Sequence, residues 1–401
     1  MATLTPADIL RISEPVEAIY NRTVDELLIN IAKHFKVSGW ERTRYWEIKK
    51  LSEMGALTEE SVQIIAKNTG KLPDEIRAAF LQVSEKACLS IDPQLKAAAA
   101  KGFLQDPGTT GATSPLIQAS VKAYTDEAVD KMNMVNTTLL QSTRQAYLQG
   151  VTTAVAEAQL LEAQQILDTQ ALNVVTSVET RTRAIRKAMD QMSRAGLTGF
   201  VDRAGRNWSP EAYSAMVVRT ASHNAAIRAV RDRQQEYGGG DIFQVSSHPG
   251  ARPLCYPYQG KFYSWSSGPG DFPDGDGRLQ HYDNISQTSY GEPAGLFGIN
   301  CGHHPIPIIP GYSFPQDPPE QSKEENDKEY RESQEQRAYE REIRAAKREA
   351  AIAHETGDKE AEKEAQQKIR RGQDQMRGFI KKTGRPRRYD RERIAENTGG
   401  Y

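Results

Sequence analysis

Between Ser114 and Arg194 the chain carries its longest periodic segment, and this constrains the fold more than any other feature. Val121, Tyr124, Ala128, Met132, Val135 and Leu139 follow one another at steps of three and four, the repeat of one helix face. Ala128 is the one small member, so a neighbour can approach closely there. Gly150 is expected to interrupt the helix. A helix of about 35 residues extends roughly 50 Å at 1.5 Å per residue. Helices of that length usually belong to elongated bundles or assemblies. The stripe reads as core packing, and nothing in it suggests a cofactor site.

Other helices are expected on either side. TEESVQIIAKNTG offers Thr58 as N-cap and Gly70 as the residue just past the end. LPDEIRAAFLQV places Pro73 in a first turn, where its missing N–H costs nothing. LTGFVDRAGRNWS is a candidate hairpin. In SPEAYSAMVVRTASHNAAIRAVRDRQQEYGGG, Ser209 serves as N-cap, Pro210 and Glu211 open a helix, and Gly238 to Gly240 end it. DIFQVSS then reads as a strand.

The 401 residues, with a net charge of −1, allow two or three units and argue against bulk attraction to DNA or an anionic membrane. No apolar run approaches the roughly 20 residues of a membrane span. The N-terminus lacks the basic head and apolar stretch of a secretory signal. Three cysteines, Cys88, Cys255 and Cys301, suit a reducing compartment better than a disulfide scaffold. The expected class is mainly α with a smaller α+β, loop-rich domain. Composition divides the chain into a helical region (1–195), a loop-rich unit dense in Gly, Pro and aromatics (196–316) and a charged helical arm (317–401). In the arm, Glu340 with Arg344 and Glu364 with Lys368 have the i, i+4 spacing that supports exposed helix, and Gly357 marks a turn. Its apolar residues, Tyr339, Ile343, Ile369 and Phe379, are too sparse to suggest a core of its own.

The candidate chemistry lies in the loop-rich unit. HPGARPLC supplies His248 and Cys255, and CGHH supplies Cys301, His303 and His304. If CGHH is extended, Cys301 and His303 point to one side and His304 to the other. Two cysteines and two histidines, His248, Cys255, Cys301 and His303, can surround a structural Zn²⁺ tetrahedrally. A metal would also supply folding energy to a unit with little regular structure. No CxxC knuckle is present, so a packed corner without chemistry stays open. So does a cysteine- or metal-dependent hydrolase in 248–316, with Cys301 as nucleophile, His303 or His281 as base and Asn300 or Asp283 as orienter. Asp274 and Asp276 bracket a glycine but lack the remaining ligands of a calcium loop, and read as a turn. Lys381, Lys382, Arg385, Arg387 and Arg388 make the tail locally basic, able to touch DNA phosphates or an acidic protein neighbour.

SSHPGARP at 246–253, GINCGH at 298–303 and an arm ending in KIRRGQDQMRGFIKKTGRPRRYDRERI together resemble the phage minor capsid protein 2 family, related to the MuF-like head-morphogenesis proteins. The upstream GFVDRAGRNWSPEAYSAMVVRTASHNA is similar as well, so the likeness runs from about Leu197 onward, the helical half agreeing in placement and character. The resemblance implies a low-copy, non-enzymatic virion protein inside the capsid near the portal vertex, present in the host cytoplasm during assembly. Its implied partners are the portal protein, other capsid components and DNA during packaging or ejection, with oligomerisation through the long helices. Related proteins carry Cys/His arrangements at the matching place, which favours the metal reading. This chain departs at Gly302, where an arginine commonly follows the cysteine.

Overall fold

The computed structural model describes residues 6–35, 43–167, 185, 197, 200–201, 207–208, 210–317 and 321–394. The fold is mainly α with one small mixed sheet. Helices α1 (Pro6–His34), α2 (Thr43–Thr69), α3 (Leu72–Ala100), α4 (Pro115–Leu167) and α5 (Pro210–Glu236) precede the sheet; α6 (Lys323–Thr356) and α7 (Lys359–Thr383) follow it. Two compact units emerge, each drawn from three separated stretches. One comprises Met1–Glu17, Lys71–Met132 and Ser214–Ser333, the other Ala18–Gly70, Asn133–Tyr213 and Gln334–Tyr401. Four of the five unit boundaries fall inside α1, α4, α5 and α6, and the fifth lies between α2 and α3.

In the first unit, Val83, Ala87, Ile91 and Leu95 of α3 pack against Ala226 and Val230 of α5. One residue further round α5, Ile227 packs on the sheet residues Phe243, Val245 and Tyr263. Small alanines on α5 make this two-sided burial feasible, because both neighbours can come close. The sheet contains β3 (Ile242–Val245), β4 (Phe262–Ser264), β5 (Gly270–Pro273), β6 (Leu279–Asn284) and β7 (Pro305–Pro307), in the order β5-β6-β4-β3-β7. Only β4 and β6 run parallel. The strand expected at DIFQVSS is thus the inner strand β3, paired with β4 and with β7. Phe243 stacks on Trp265 at 4.4 Å between ring centres, so the many aromatics of this unit form its core.

In the second unit, Phe35 packs on Trp46 and Tyr147, and the Tyr147 hydroxyl donates to Lys50 O at 2.9 Å. The expected hairpin is present as β1 (Phe200–Val201) antiparallel to β2 (Asn207–Trp208); its turn and Ser209 lie outside the described residues.

Three expectations need correction. Thr58 does not cap a helix: α2 begins at Thr43, and the Thr58 hydroxyl donates back to Met54 O at 2.7 Å. Gly150 does not interrupt α4, whose 53 residues run past it, about 80 Å of helix. An interior glycine costs only about 1 kcal/mol, and Tyr147, Val151 and Ala154 are buried around it. The arm does build a core. Ile343 of α6 meets Met376 and Phe379 of α7, flanked by Tyr339 and Ile380. Two sparse stripes suffice when they face each other, each buried side chain contributing about 1.5–3 kcal/mol. The turn between them falls at Gly357, φ +74°, with Asp358 capping α7 through Ala361 N–H. The arm also carries longer connections: Lys368 reaches Glu349, and Glu340 lies 3.8 Å from Arg391.

Candidate metal centre

The first half of the site is the HPGARPLC turn. Gly250 has φ +69°, a conformation side chains resist. Asn326 of α6 clamps the next residue from both sides, accepting from Ala251 N–H at 2.7 Å and donating to Ala251 O at 2.8 Å. Arg252 then reaches the second half of the site, donating to Ile299 O at 2.7 Å and Gly295 O at 3.2 Å. Cys255 is buried at the head of a 3₁₀ turn, Tyr256–Tyr258.

The second half is the loop from Ser289 to Cys301. A side chain at Gly295 would collide with the Ser289 carbonyl, so only glycine lets the loop close this tightly. Phe297 and Asn300 both adopt φ +57°, strain that side-chain-bearing residues carry only where surrounding contacts impose it. The outcome is that Phe297 N–H donates to Cys301 Sγ at 3.2 Å.

These halves bring three buried ligand-type side chains together. Cys255 Sγ lies 3.9 Å from Cys301 Sγ, and Cys301 Sγ lies 3.4 Å from His303 Nδ1. All three ligand atoms fall within 4.8 Å of one another. Gln259 Oε1 accepts His248 N–H at 2.7 Å and lies 3.1 Å from His303 Nε2. Since a backbone N–H can only donate, that atom is the amide oxygen, and His303 must donate to it through Nε2–H. The lone pair on Nδ1 therefore faces the two sulfurs. An imidazole ligand oriented by a carbonyl acceptor on its far nitrogen is the usual outer-shell arrangement at metal sites.

The fourth predicted ligand, His248, lies outside this trio. Its ring packs against that of His303 at 4.2 Å, and its Nδ1–H donates to Pro249 O at 3.0 Å. Nε2 is left buried without a hydrogen-bond partner. Burial, then the neighbouring His303, lowers the His248 pKa to about 4, so the ring is neutral. His304, expected to point away, is packed inside as well: both ring nitrogens are buried without partners, and burial lowers its pKa to about 3.

Hydrogen bonding from the Cys255 thiol draws the Cys301 pKa well below that of an ordinary thiol despite burial. The same contact, with burial behind it, pushes Cys255 up. One sulfur is thus favoured as thiolate and the other as the thiol that donates to it; a bound cation would require both to be deprotonated. The nucleophile arrangement is only partly assembled. Cys301 and His303 touch, but Cys301 is 6% exposed, Asn300 accepts from Arg219 at 2.9 Å, and His281 pairs with Asp271 and Asp283 on exposed β6. Asp274 accepts the backbone N–H groups of Asp276 and Arg278, closing a turn. Cys88 is separate, buried in α3, with burial raising its pKa to about 12.

In the tail, Arg387 pairs in bidentate fashion with buried Glu392, Arg388 with Asp390, and Arg385 with Gln336. Lys381 and Lys382 are exposed in the last turn of α7. Sequence reasoning missed Arg252, Gln259 and also His223, whose Nε2–H donates to His303 O at 2.6 Å. Arg252 stood in HPGARPLC and His223 in SPEAYSAMVVRTASHNA, neither with a role read for it there.

The sequence model of the family described as "Phage minor capsid protein 2" matches residues 4–381. A "Structural protein" of Lactococcus phage LL-H is 28% identical over 354 residues, covering 86% of this chain and 88% of that protein. A "Structural protein" of Lactococcus phage mv4 is 33% identical over 115 residues, covering 28% of this chain and 93% of that protein. No solved structure matches.

Proposed function

Because the chain belongs to the phage minor capsid protein 2 family, it is a phage structural protein and a virion component, and we propose that it stands at low copy inside the capsid near the portal vertex. There it contributes to head morphogenesis and to DNA packaging or ejection. The observation that carries this reading is a family match across residues 4–381, which takes in the helices and the Cys/His unit together and not one motif. Long helices and a charged helical hairpin suit contacts with the portal protein, other capsid proteins or further copies of itself. Among the described residues no helix is long and apolar enough to cross a membrane. The role in this reading is structural and non-enzymatic, in keeping with a family and relatives described as capsid and structural proteins. DNA contact through exposed Lys381 and Lys382 belongs to the same reading.

Quantitative mass spectrometry of purified virions tests it, combined with cross-linking to the portal protein. The expected result is a copy number far below that of the major capsid protein, with cross-links to portal subunits. Absence from virions, with normal particles from a deletion mutant, would overturn it.

A further inference from the structure

We propose that the loop-rich unit binds one Zn²⁺ through Cys255 Sγ, Cys301 Sγ and His303 Nδ1, with His248 Nε2 as the fourth ligand. The spacing of the trio is the first support. Bonds of about 2.3 Å to sulfur and 2.0 Å to nitrogen place tetrahedral ligands about 3.8 Å apart for two sulfurs and about 3.5 Å for sulfur and nitrogen. The observed separations are 3.9 Å and 3.4 Å. A disulfide would need about 2.05 Å between the sulfurs.

The second support is the direction of the lone pairs. Gln259 Oε1 takes the Nε2 proton of His303, and Pro249 O takes the Nδ1 proton of His248, so each ring turns a bare nitrogen elsewhere. For His303 that nitrogen meets the sulfurs. For His248 it is buried without a partner, a cost of about 1–3 kcal/mol that ligation removes. His223 also keeps a bare buried nitrogen, Nδ1, while its Nε2–H holds the His303 carbonyl; His248 is assigned over it because its ring already packs on that of His303, 4.2 Å between ring centres.

Third, the loop is strained at Phe297 and Asn300, and what the strain achieves is an N–H donor aimed at Cys301 Sγ. Such a donor stabilises a metal-bound thiolate. Soft sulfur with imidazole in a closed four-ligand set selects zinc over magnesium or calcium, and a closed set holds structure instead of opening a site for catalysis.

The test uses the full-length chain, purified under reducing conditions. Elemental mass spectrometry should find one zinc per chain. Exchange with Co²⁺ should give the visible bands of a tetrahedral site and a near-ultraviolet thiolate charge-transfer band. Cys301→Ser and His303→Ala should abolish stoichiometric binding, and Gln259→Leu should weaken it by about 10–100-fold. His248→Ala should keep the charge-transfer band but shift the visible ones. The cobalt spectrum of the unaltered chain depends on no variant's folding. Less than a tenth of an equivalent of metal together with no cobalt bands would overturn the proposal, whether the thiols prove free or joined as a Cys255–Cys301 disulfide. A His248→Ala spectrum identical to that of the unaltered chain would overturn the fourth ligand.

Discussion

Arg233 of α5 is fully buried, and its guanidinium is wholly committed: to Asp92 at 2.7 Å, to Glu236 and the Thr109 hydroxyl at 2.9 Å each, and to Thr109 O at 2.6 Å. Removing one partner of a buried ion pair strands the other, so Arg233→Met should cost about 3–5 kcal/mol, read as a lowered denaturant midpoint. Asp241 works at the surface. Its carboxylate accepts from the backbone N–H and hydroxyl groups of Ser266 and Ser267, and these bonds outweigh partial burial and lower its pKa. A depressed carboxylate contributes stability above its unfolded pKa of about 3.9, and loses it as pH falls through the lower folded value. Asp241→Asn should therefore lower the melting temperature at neutral pH and match the unaltered chain in strong acid. A larger deficit in acid than at neutrality would refute this. Cys301 and His303 were legible together because their spacing places them on one side of an extended segment. Gln259 and His223 were not, since they arrive from 44 and 80 residues away, and only the fold determines which carbonyl or ring nitrogen they meet.

Among the helices, α7 shows how one residue type can have opposite effects within a single element. Gly372 is buried against α6, where an added Cβ would lie 2.9 Å from Ile343 Cγ1. Gly378 is exposed, with nothing within 4 Å of the same added atom. Gly378→Ala should stabilise the hairpin by about 0.5–1 kcal/mol through helix propensity alone. Gly372→Val should destabilise it by about 1–3 kcal/mol through overpacking. Hydrogen exchange of α6 and α7 amides reads both effects, and equal shifts in one direction would refute the assigned contact. Helix existence was legible throughout, because the steps of three and four and the proline starts are local signals. The arm's core was not. Met376 looks isolated in sequence and acquires partners only when the Gly357 turn brings α7 back along α6. Gly150 misled for the complementary reason: its cost is local, while the packing of Tyr147 and Val151 that offsets it is not.

At the scale of the whole molecule a net charge of −1 leaves no general attraction to DNA, so any contact must come from a local patch. The sequence presents five basic residues in the tail; the fold divides them into two classes. Arg385, Arg387 and Arg388 already bind Gln336, Glu392 and Asp390, and moving them to phosphates would break bonds that hold the tail's own structure. Lys381 and Lys382 stand exposed at the C-terminal end of α7. Each phosphate contact adds about 0.9 to the slope of log affinity against log salt on duplex DNA. Five contacts would contribute about 4.5 and two about 1.8. Binding of the full chain to a random duplex, titrated from low to physiological salt, should therefore lose about 1.8 units of slope in the Lys381→Ala, Lys382→Ala double variant. The Arg385, Arg387 and Arg388 alanine variant should lose less than about 1 unit while melting earlier, since its loss is of internal pairs. The reverse order would mean that the arginines exchange their carboxylate partners for phosphate. The tail would then be a switch between a closed arm and a DNA-bound one.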